Sequence, residues 1–361
     1  MAINMSPKPG EPCCCANGSL FVRLLDLLMF ITFLLFFLSA ATIYFACEFF
    51  VNGVEWLGRR LNLSATATGT VLAAFGTALP ESAVTFIAVV FGNSPQQKDI
   101  GVGAAMGGPL VLATIAYAVV GLALLMNRRK KSLAERYTIT VDQKRLSRDQ
   151  AWFLVIFVVK AGLGLVIFSF KPWLGVVFLA AYALYVWREL RDDGDDEEEE
   201  LEPLKIRPHD ADPTMAWVAL QTIAALTVVA IAAHTFVAQI ELIGVAFGMA
   251  PHMAALLLSP IATELPEIMN ALIWVKQGKE RLALANISGA MMIQATIPSA
   301  LGIFFTPWLF DGPLISAAVI TALAVVALFA LFRRGVMDSR ILVSVGLLYG
   351  VFVGYVIWYF N

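Results

Sequence analysis

The sequence lacks the motifs of a soluble enzyme. It has no Gly-rich loop that would cradle a phosphate, no nucleophile beside a base partner, and no soluble segment long enough for ATP chemistry. Its four cysteines, Cys13, Cys14, Cys15 and Cys47, have neither zinc-ligand nor redox spacing. The net charge is only -2, and the basic residues are spread over many loops, so nothing indicates nucleic-acid binding. We expect neither an enzyme nor a resident cofactor.

Long apolar runs dominate what is present. Hydrophobic residues make up 59% of the 361 residues, against roughly 45–50% in soluble domains. A bilayer core of about 30 Å needs roughly 20 apolar residues per helix. Ten such windows are predicted, and they are helical because lipid would leave strand edges unpaired. They fall at 21–47, 64–91, 98–126, 151–170, 172–188, 215–238, 251–275, 282–305, 313–332 and 339–360. The predicted class is an all-α, multi-pass integral membrane protein.

The basic residues are distributed unevenly across these ten spans. Twenty of the 25 fall in loops on one side of the membrane. Positive charge is retained on the cytoplasmic side during insertion, so that side is cytoplasmic and both termini lie outside. We expect a prokaryotic inner membrane location.

The two halves of the chain are related by an internal repeat. A constant shift of 186 residues superposes residues 46–92 on the second half, and charged and proline positions match as well as apolar ones. The matched pairs include Glu55 with Glu241, Pro80 with Pro266, and Glu81 with Glu267. Each half holds five spans, an odd number, so the repeats are inverted in the membrane. The predicted division is a 1–20 tail, a 21–188 repeat, a 189–213 acidic cytoplasmic linker and a 214–361 repeat.

Each repeat interrupts one apolar span with a polar motif. The motifs are Gly76-Thr77-Ala78-Leu79-Pro80-Glu81 and Ala262-Thr263-Glu264-Leu265-Pro266-Glu267. Proline removes a backbone donor and disfavours helix at the preceding residue, which predicts breaks at Leu79 and Leu265. Carbonyls freed by such breaks are available to a cation within the membrane.

The acids of these motifs are candidate cation ligands. A carboxylate at mid-membrane costs roughly 2.5–3.5 kcal/mol, so Glu81, Glu264 and Glu267 require compensation. We predict that Glu81 and Glu267 bind one hard divalent cation from opposite sides, with the hydroxyls of Thr77 and Thr263. The alternative is that the acids are neutral, hydrogen-bonded structural groups. Lys160, inside the fourth span, either reaches an acid on another helix or stays uncharged.

At these motifs the sequence resembles the cation/calcium antiporter superfamily of sodium/calcium and calcium/proton exchangers. That superfamily carries a motif like G-T-S-L-P-E in each repeat, followed further along by one like G-N-x-x-G-S-N. The resemblance implies a ten-helix inverted-repeat fold and calcium export against an inward sodium or proton gradient. It implies that the motif glutamates are calcium ligands, and that the partners are metal cations and the lipid bilayer.

The sequence departs from the family pattern at several positions. Ala78 and Glu264 replace the serine of the first motif, and Gly108 stands where a polar residue is usual. The second repeat keeps Asn286 and Ser288, and its run from Gln294 to Pro298 is similar to the calcium/proton branch. These departures give the possible additional site or coupling residues Gln294, Asn286, Ser288, Ala78 and Gly108. They leave open sodium or proton coupling, calcium/proton exchange without sodium dependence, and an ion-sensing membrane protein that does not transport.

Overall fold

The structure is a computed structural model and describes residues 15–61, 79–127, 138–140, 143–189, 201–278, 280–334 and 336–360. In chain order the helices are α1 (Cys15–Arg60), α2 (Leu79–Val90), α3 (Pro95–Val111), α4 (Tyr117–Asn127), α5 (Gln143–Leu163), α6 (Gly175–Glu189), α7 (Met215–Ala246), α8 (Pro251–Thr263), α9 (Leu265–Lys276), α10 (Glu280–Phe305), α11 (Gly312–Phe332), α12 (Ser339–Val345) and α13 (Leu347–Phe360). A π-helical turn, Leu112–Ala116, joins α3 to α4, and a 3-10 turn, Lys171–Leu174, precedes α6.

The helical membrane class is confirmed. Within the described residues, seven helical segments are long and apolar enough to cross a bilayer. They are Arg23–Arg60, Pro95–Met126, Met215–Ala246, Pro251–Lys276, Ala283–Phe305, Gly312–Phe332 and Ser339–Tyr359. Of the three remaining predicted spans, 151–170 and 172–188 overlap the helices α5 and α6, and the described part of 64–91 contains the short helix α2, with residues 64–78 outside the described residues. The all-α prediction missed one small feature, the antiparallel pair of strands β1 (Thr138–Thr140) and β2 (Val336–Asp338).

The fourth and fifth predicted spans are separate helices, but the first of them is displaced along the chain. Helix α5 begins before the predicted 151 and ends at Leu163 rather than 170. It ends there because the chain turns at Gly164, whose carbonyl accepts the N–H of Phe310 at 2.9 Å. A Cβ at Gly164 would stand only 2.4 Å from the Phe310 ring. The close approach of α5 to the chain before α11 therefore sets the end of the helix.

Helix α10 lies at the centre of the fold. It packs against α2, α3, α5, α6 and α9, and most of its apolar side chains from Ala283 to Ile303 are buried. The long helices α1 and α7 instead pack along each other, with Phe36 and Phe236 stacked at 4.9 Å between ring centroids. Both long helices expose many large apolar side chains. Such outward faces suit contact with lipid tails.

The end of the predicted acidic linker is bound to these two helices. The carbonyl of Glu202 accepts the indole N–H of Trp56 in α1 at 2.9 Å. The N–H of Lys205 donates to Oδ1 of Asn52, and the N–H of Ile206 donates to Oε1 of Gln221 in α7. The amide of Gln221 also donates to Oδ1 of Asn52 at 2.9 Å. Residues 201–206 therefore join α1 to α7, whereas residues 190–200 lie outside the described residues.

Candidate cation site

Glu81 and Glu267 occupy equivalent places in the fold. Each stands in the first turn of its helix, α2 or α9, directly after a Leu-Pro pair. Proline suits the first positions of a helix, where its missing N–H would have no partner. The positive end of the helix dipole favours a carboxylate there. Glu81 is 1% exposed and Glu267 is 0% exposed, so both side chains point into the protein and not into lipid.

The second motif bends its span rather than unwinding it. Helix α8 ends at Thr263 and α9 begins at Leu265, so the bend falls at Glu264, one residue before the predicted break. The helical hydrogen bonding continues on both sides, because the N–H of Glu264 donates to the Pro260 carbonyl and its own carbonyl accepts from Ile268. In the first motif, α2 begins at Leu79. Gly76, Thr77 and Ala78 lie outside the described residues.

The three motif glutamates differ in their hydrogen bonds. Both carboxylate oxygens of Glu264 accept, one from the Thr263 hydroxyl at 2.7 Å and the other from the Gln294 amide at 2.6 Å. All four carboxylate oxygens of Glu81 and Glu267 are buried without a hydrogen-bond partner among the described residues. Buried polar atoms are rarely left in that condition. Glu264 is thus a positioned acid, and the other two acids present unsatisfied oxygens.

Gly108 provides the space in which two of these groups meet. A Cβ at this position would stand 2.6 Å from Oε2 of Glu81 and 2.9 Å from Oε1 of Gln294. Gln294 is the repeat equivalent of Gly108, and its Oε1 is buried without a partner. The missing side chain in the first repeat therefore leaves room for a carboxylate of its own half and an amide of the other.

The structure does not form a closed metal cage. Among the described residues, no group of three or more His, Cys, Asp or Glu side chains is close enough to hold a metal ion. The site is a cluster of three buried acids where α2, α9 and α10 meet, with Gln294 of α10 bonded to Glu264.

Comparison with known proteins identifies the family. The model of the sodium/calcium exchanger protein family matches residues 31–190 and 217–360. The chain belongs to this family. Inner membrane protein YrbG of Escherichia coli (strain K12) is 26% identical over 329 residues, covering 88% of this chain and 92% of its own. Putative antiporter CaxA of Alkalimonas amylolytica is 26% identical over 274 residues, covering 73% of this chain and 77% of its own.

Solved exchanger structures share the fold. The H+/Ca2+ exchanger CAX superposes with a TM-score of 0.68 at 16% sequence identity, covering 93% of this chain and 86% of that one. The family is one of exchangers and not of catalysts, so this member of the sodium/calcium exchanger family is not an enzyme.

Ser288 and Asn286, two of the predicted additional site residues, lie on α10 nearer its start than Gln294. Ser288 precedes Gln294 by six residues, about 9 Å along a helix axis, and Asn286 precedes it by eight. The Ser288 hydroxyl accepts from the Gln150 amide at 3.3 Å, and the same amide donates to the Tyr117 hydroxyl at 3.0 Å. Ser288 is therefore bonded to Gln150 in a separate polar cluster with Tyr117. Sequence reasoning missed Gln150 and Tyr117, which carry no motif.

Of the two possibilities predicted for Lys160, a hydrogen bond to an acid on another helix is not formed, and whether the group stays uncharged is a separate question that these bonds do not test. Its ammonium donates to the Ala105 carbonyl and to the Ser299 hydroxyl, each at 3.0 Å, and not to an acid. The sequence does contain a signal that the Ala105 carbonyl needs a partner. Pro109 stands four residues after Ala105 and has no N–H to donate to it.

Proposed function

We propose that the chain is a secondary active antiporter that moves Ca2+ or a similar divalent cation across the membrane in exchange for Na+ or H+ by alternating access. Membership of the exchanger family supports this, as do relatives named antiporter or exchanger. The observation that carries the proposal is the set of four buried carboxylate oxygens of Glu81 and Glu267 without hydrogen-bond partners in the described part of the chain. Acids at membrane depth need a compensating charge, and a hard divalent cation takes oxygen ligands.

In the proposed topology ten helical segments cross the membrane as two inverted repeats of five. Helices α2, α5 and α6, added to the seven longer segments, give that number. The 186-residue internal match and the odd number of spans per half support the inversion. The proposal keeps the repeats at 21–188 and 214–361, the linker at 189–213 on the cytoplasmic side, and both termini outside.

In the proposed site Glu81 and Glu267 bind the divalent cation directly. Glu264 contributes charge from a fixed position, because Thr263 and Gln294 hold both of its oxygens. The free amide oxygen of Gln294 faces the gap at Gly108 and is a further candidate ligand. Thr77 stays in the proposed ligand set by its place in the first motif.

The test is a transport assay in proteoliposomes that contain the full chain. Outwardly directed gradients of Na+ and of H+ are imposed separately, and uptake of radioactive Ca2+ is measured. At least one gradient is expected to drive uptake, and the one that does so identifies the coupling ion. If neither gradient drives uptake of a divalent cation, exchange is rejected.

The same assay separates the alternatives. Uptake driven by protons alone indicates calcium/proton exchange without sodium dependence. Saturable divalent binding with no flux under either gradient indicates an ion-sensing protein. The sensing alternative rests on the missing side chain of Gly108 in the first repeat, but oxygens of Glu81 and Gln294 occupy the space beside it.

A further inference from the structure

Lys160 is the one fully buried lysine among the described residues that reaches across the helix core. It is 0% exposed, and its ammonium bonds to the Ala105 carbonyl in α3 and the Ser299 hydroxyl in α10, each at 3.0 Å. The ammonium also stands 4.9 Å from the centroid of the Phe157 ring, a favourable place for a cation. Lys160 therefore joins a helix of each repeat at membrane depth.

The carbonyl that binds Lys160 is available because of a proline. In a regular helix the carbonyl of residue 105 would accept the N–H of residue 109, but Pro109 has none. Ser299 follows a second proline, Pro298, inside α10. Backbone carbonyls left without an N–H partner at membrane depth coordinate small monovalent cations in transporters. Here the Ala105 carbonyl and the Ser299 hydroxyl are occupied by a tethered ammonium.

The position of Lys160 matters because of the charge balance between its ammonium and the three acids of the site. Three buried acids, Glu81, Glu264 and Glu267, share the interior with Lys160, and Ala105, which binds its ammonium, stands three residues before Gly108, whose Cβ position lies against Glu81. Counted in their ionised forms, three carboxylates and one ammonium leave two net negative charges, which a single divalent cation neutralises. Without the ammonium, one more monovalent cation would be needed to neutralise the loaded site.

Resting on the proposed function, we propose that the Lys160 ammonium is a resident monovalent cation of the transport site. It fills the place between the Ala105 carbonyl and the Ser299 hydroxyl that a mobile Na+ would otherwise take. The Lys160 ammonium thus neutralises part of the negative charge of the three acids, and one divalent cation neutralises the rest.

The test removes the ammonium and looks for a cation that replaces it. In the purified full-length Lys160→Ala variant, titration with Na+ or NH4+ against a large organic cation is expected to show one more saturable monovalent site than wild type. The melting temperature should rise with the same ion. The matched control is Lys171→Ala, because Lys171 is also buried but bonds to the carbonyls of Val166, Pro307 and Trp308, away from the acids. The control should gain no site.

A second variant tests whether the cation gained in Lys160→Ala binds because of the charge of the acids or only because the side chain has left an empty space. Glu264→Gln, added to Lys160→Ala, restores two net negative charges without touching Ala105 or Ser299. The gained monovalent affinity should then fall by about tenfold or more, since one charge at short range in the interior is worth at least that. Affinity that survives in the double variant overturns the charge argument.

Failure of this inference is distinguishable from failure of transport. A folded Lys160→Ala that gains no monovalent site overturns the inference, whatever the wild type transports. If Lys160→Ala does not fold, Lys160→Ser carries the same test, because its short side chain also leaves the place between the Ala105 carbonyl and the Ser299 hydroxyl open. Absence of divalent flux in wild type rejects the proposed function, while the binding comparison still stands or falls by itself.

Discussion

The two Leu-Pro-Glu helix starts carry the same carboxylate in different surroundings. At the second, Thr263 and Gln294 hold the extra acid Glu264 with two short hydrogen bonds. At the first, Glu81 lies against Gly108, which has no side chain. The two motifs therefore differ: the second holds an extra acid with two hydrogen bonds, and the first sets its acid in the space that a missing side chain leaves. Matching sequence motifs do not require matching surroundings.

The largest effect, on divalent flux, is expected from replacing the carboxylate of Glu81 or of Glu267 with a neutral amide. Glu81→Gln and Glu267→Gln each remove a proposed direct ligand and should lower divalent flux by more than about 100-fold, beyond the 10–100-fold typical of outer-shell losses. Initial rates of Ca2+ uptake in proteoliposomes measure this. Glu241→Gln is the control, since Glu241 pairs with Gln97 at 2.9 Å away from the motifs. Wild-type flux in one of the two motif variants would show that the halves are not equivalent ligands.

The next largest effect tests the space in the first half. Gly108→Ala places a methyl group 2.6 Å from the Glu81 carboxylate, so the acid must shift, and overpacking of this kind costs about 1–3 kcal/mol. We expect about a tenfold loss of divalent affinity by titration calorimetry. Gly162→Ala in α5 is the control because a Cβ there meets nothing within 4 Å, and alanine favours helix. Unchanged affinity in Gly108→Ala would show that the gap is not needed.

A smaller effect on divalent affinity is expected from removing the hydrogen bonds that position Glu264. Gln294→Leu removes the donor to Oε2 of Glu264, and hydrogen bonds to charged groups are worth about 1.5–3 kcal/mol. Divalent affinity should fall by roughly tenfold, measured by calorimetry. Thr263→Val removes the other donor and should act in the same direction. If both variants bind as tightly as wild type, Glu264 does not need to be positioned.

The smallest effect is expected outside both motifs, where Asp311 caps α11 and contacts Nε2 of His252 at 2.7 Å. Burial raises the pKa of Asp311, but the hydrogen bond and charge of His252 outweigh it and hold the pKa below its ordinary value. A depressed carboxyl pKa stabilises the fold above the unfolded value of about 3.9, and this is lost as the pH falls through the folded pKa.

Melting of Asp311→Asn against wild type should therefore show a modest difference at pH 6 that shrinks below about pH 4. The Asp311 side chain is 38% exposed, so solvent screening keeps the difference small. Asp338→Asn is the control, because Asp338 also caps a helix by accepting from the Arg340 N–H. A difference that grows as the pH falls would contradict the assigned sign.

The helical segments followed from the sequence because hydropathy acts locally, and the cost of charge in lipid made the three acids candidates for the same reason. The second Leu-Pro-Glu motif predicted its bend to within one residue, since proline acts on its own chain. What the sequence did not yield depends on contacts between distant segments. The end of α5 is set by Phe310, the partners of Lys160 lie on α3 and α10, and the use of Gly108 becomes visible only when Glu81 and Gln294 stand beside it.

Residues 201–206 have a mechanical consequence. They are bonded to Asn52 and Trp56 of α1 and to Gln221 of α7, the two helices that pack lengthwise on the outside of the core. A displacement of either helix along its axis is coupled to the other at this end. These hydrogen bonds therefore fix the positions of α1 and α7 relative to each other at this end.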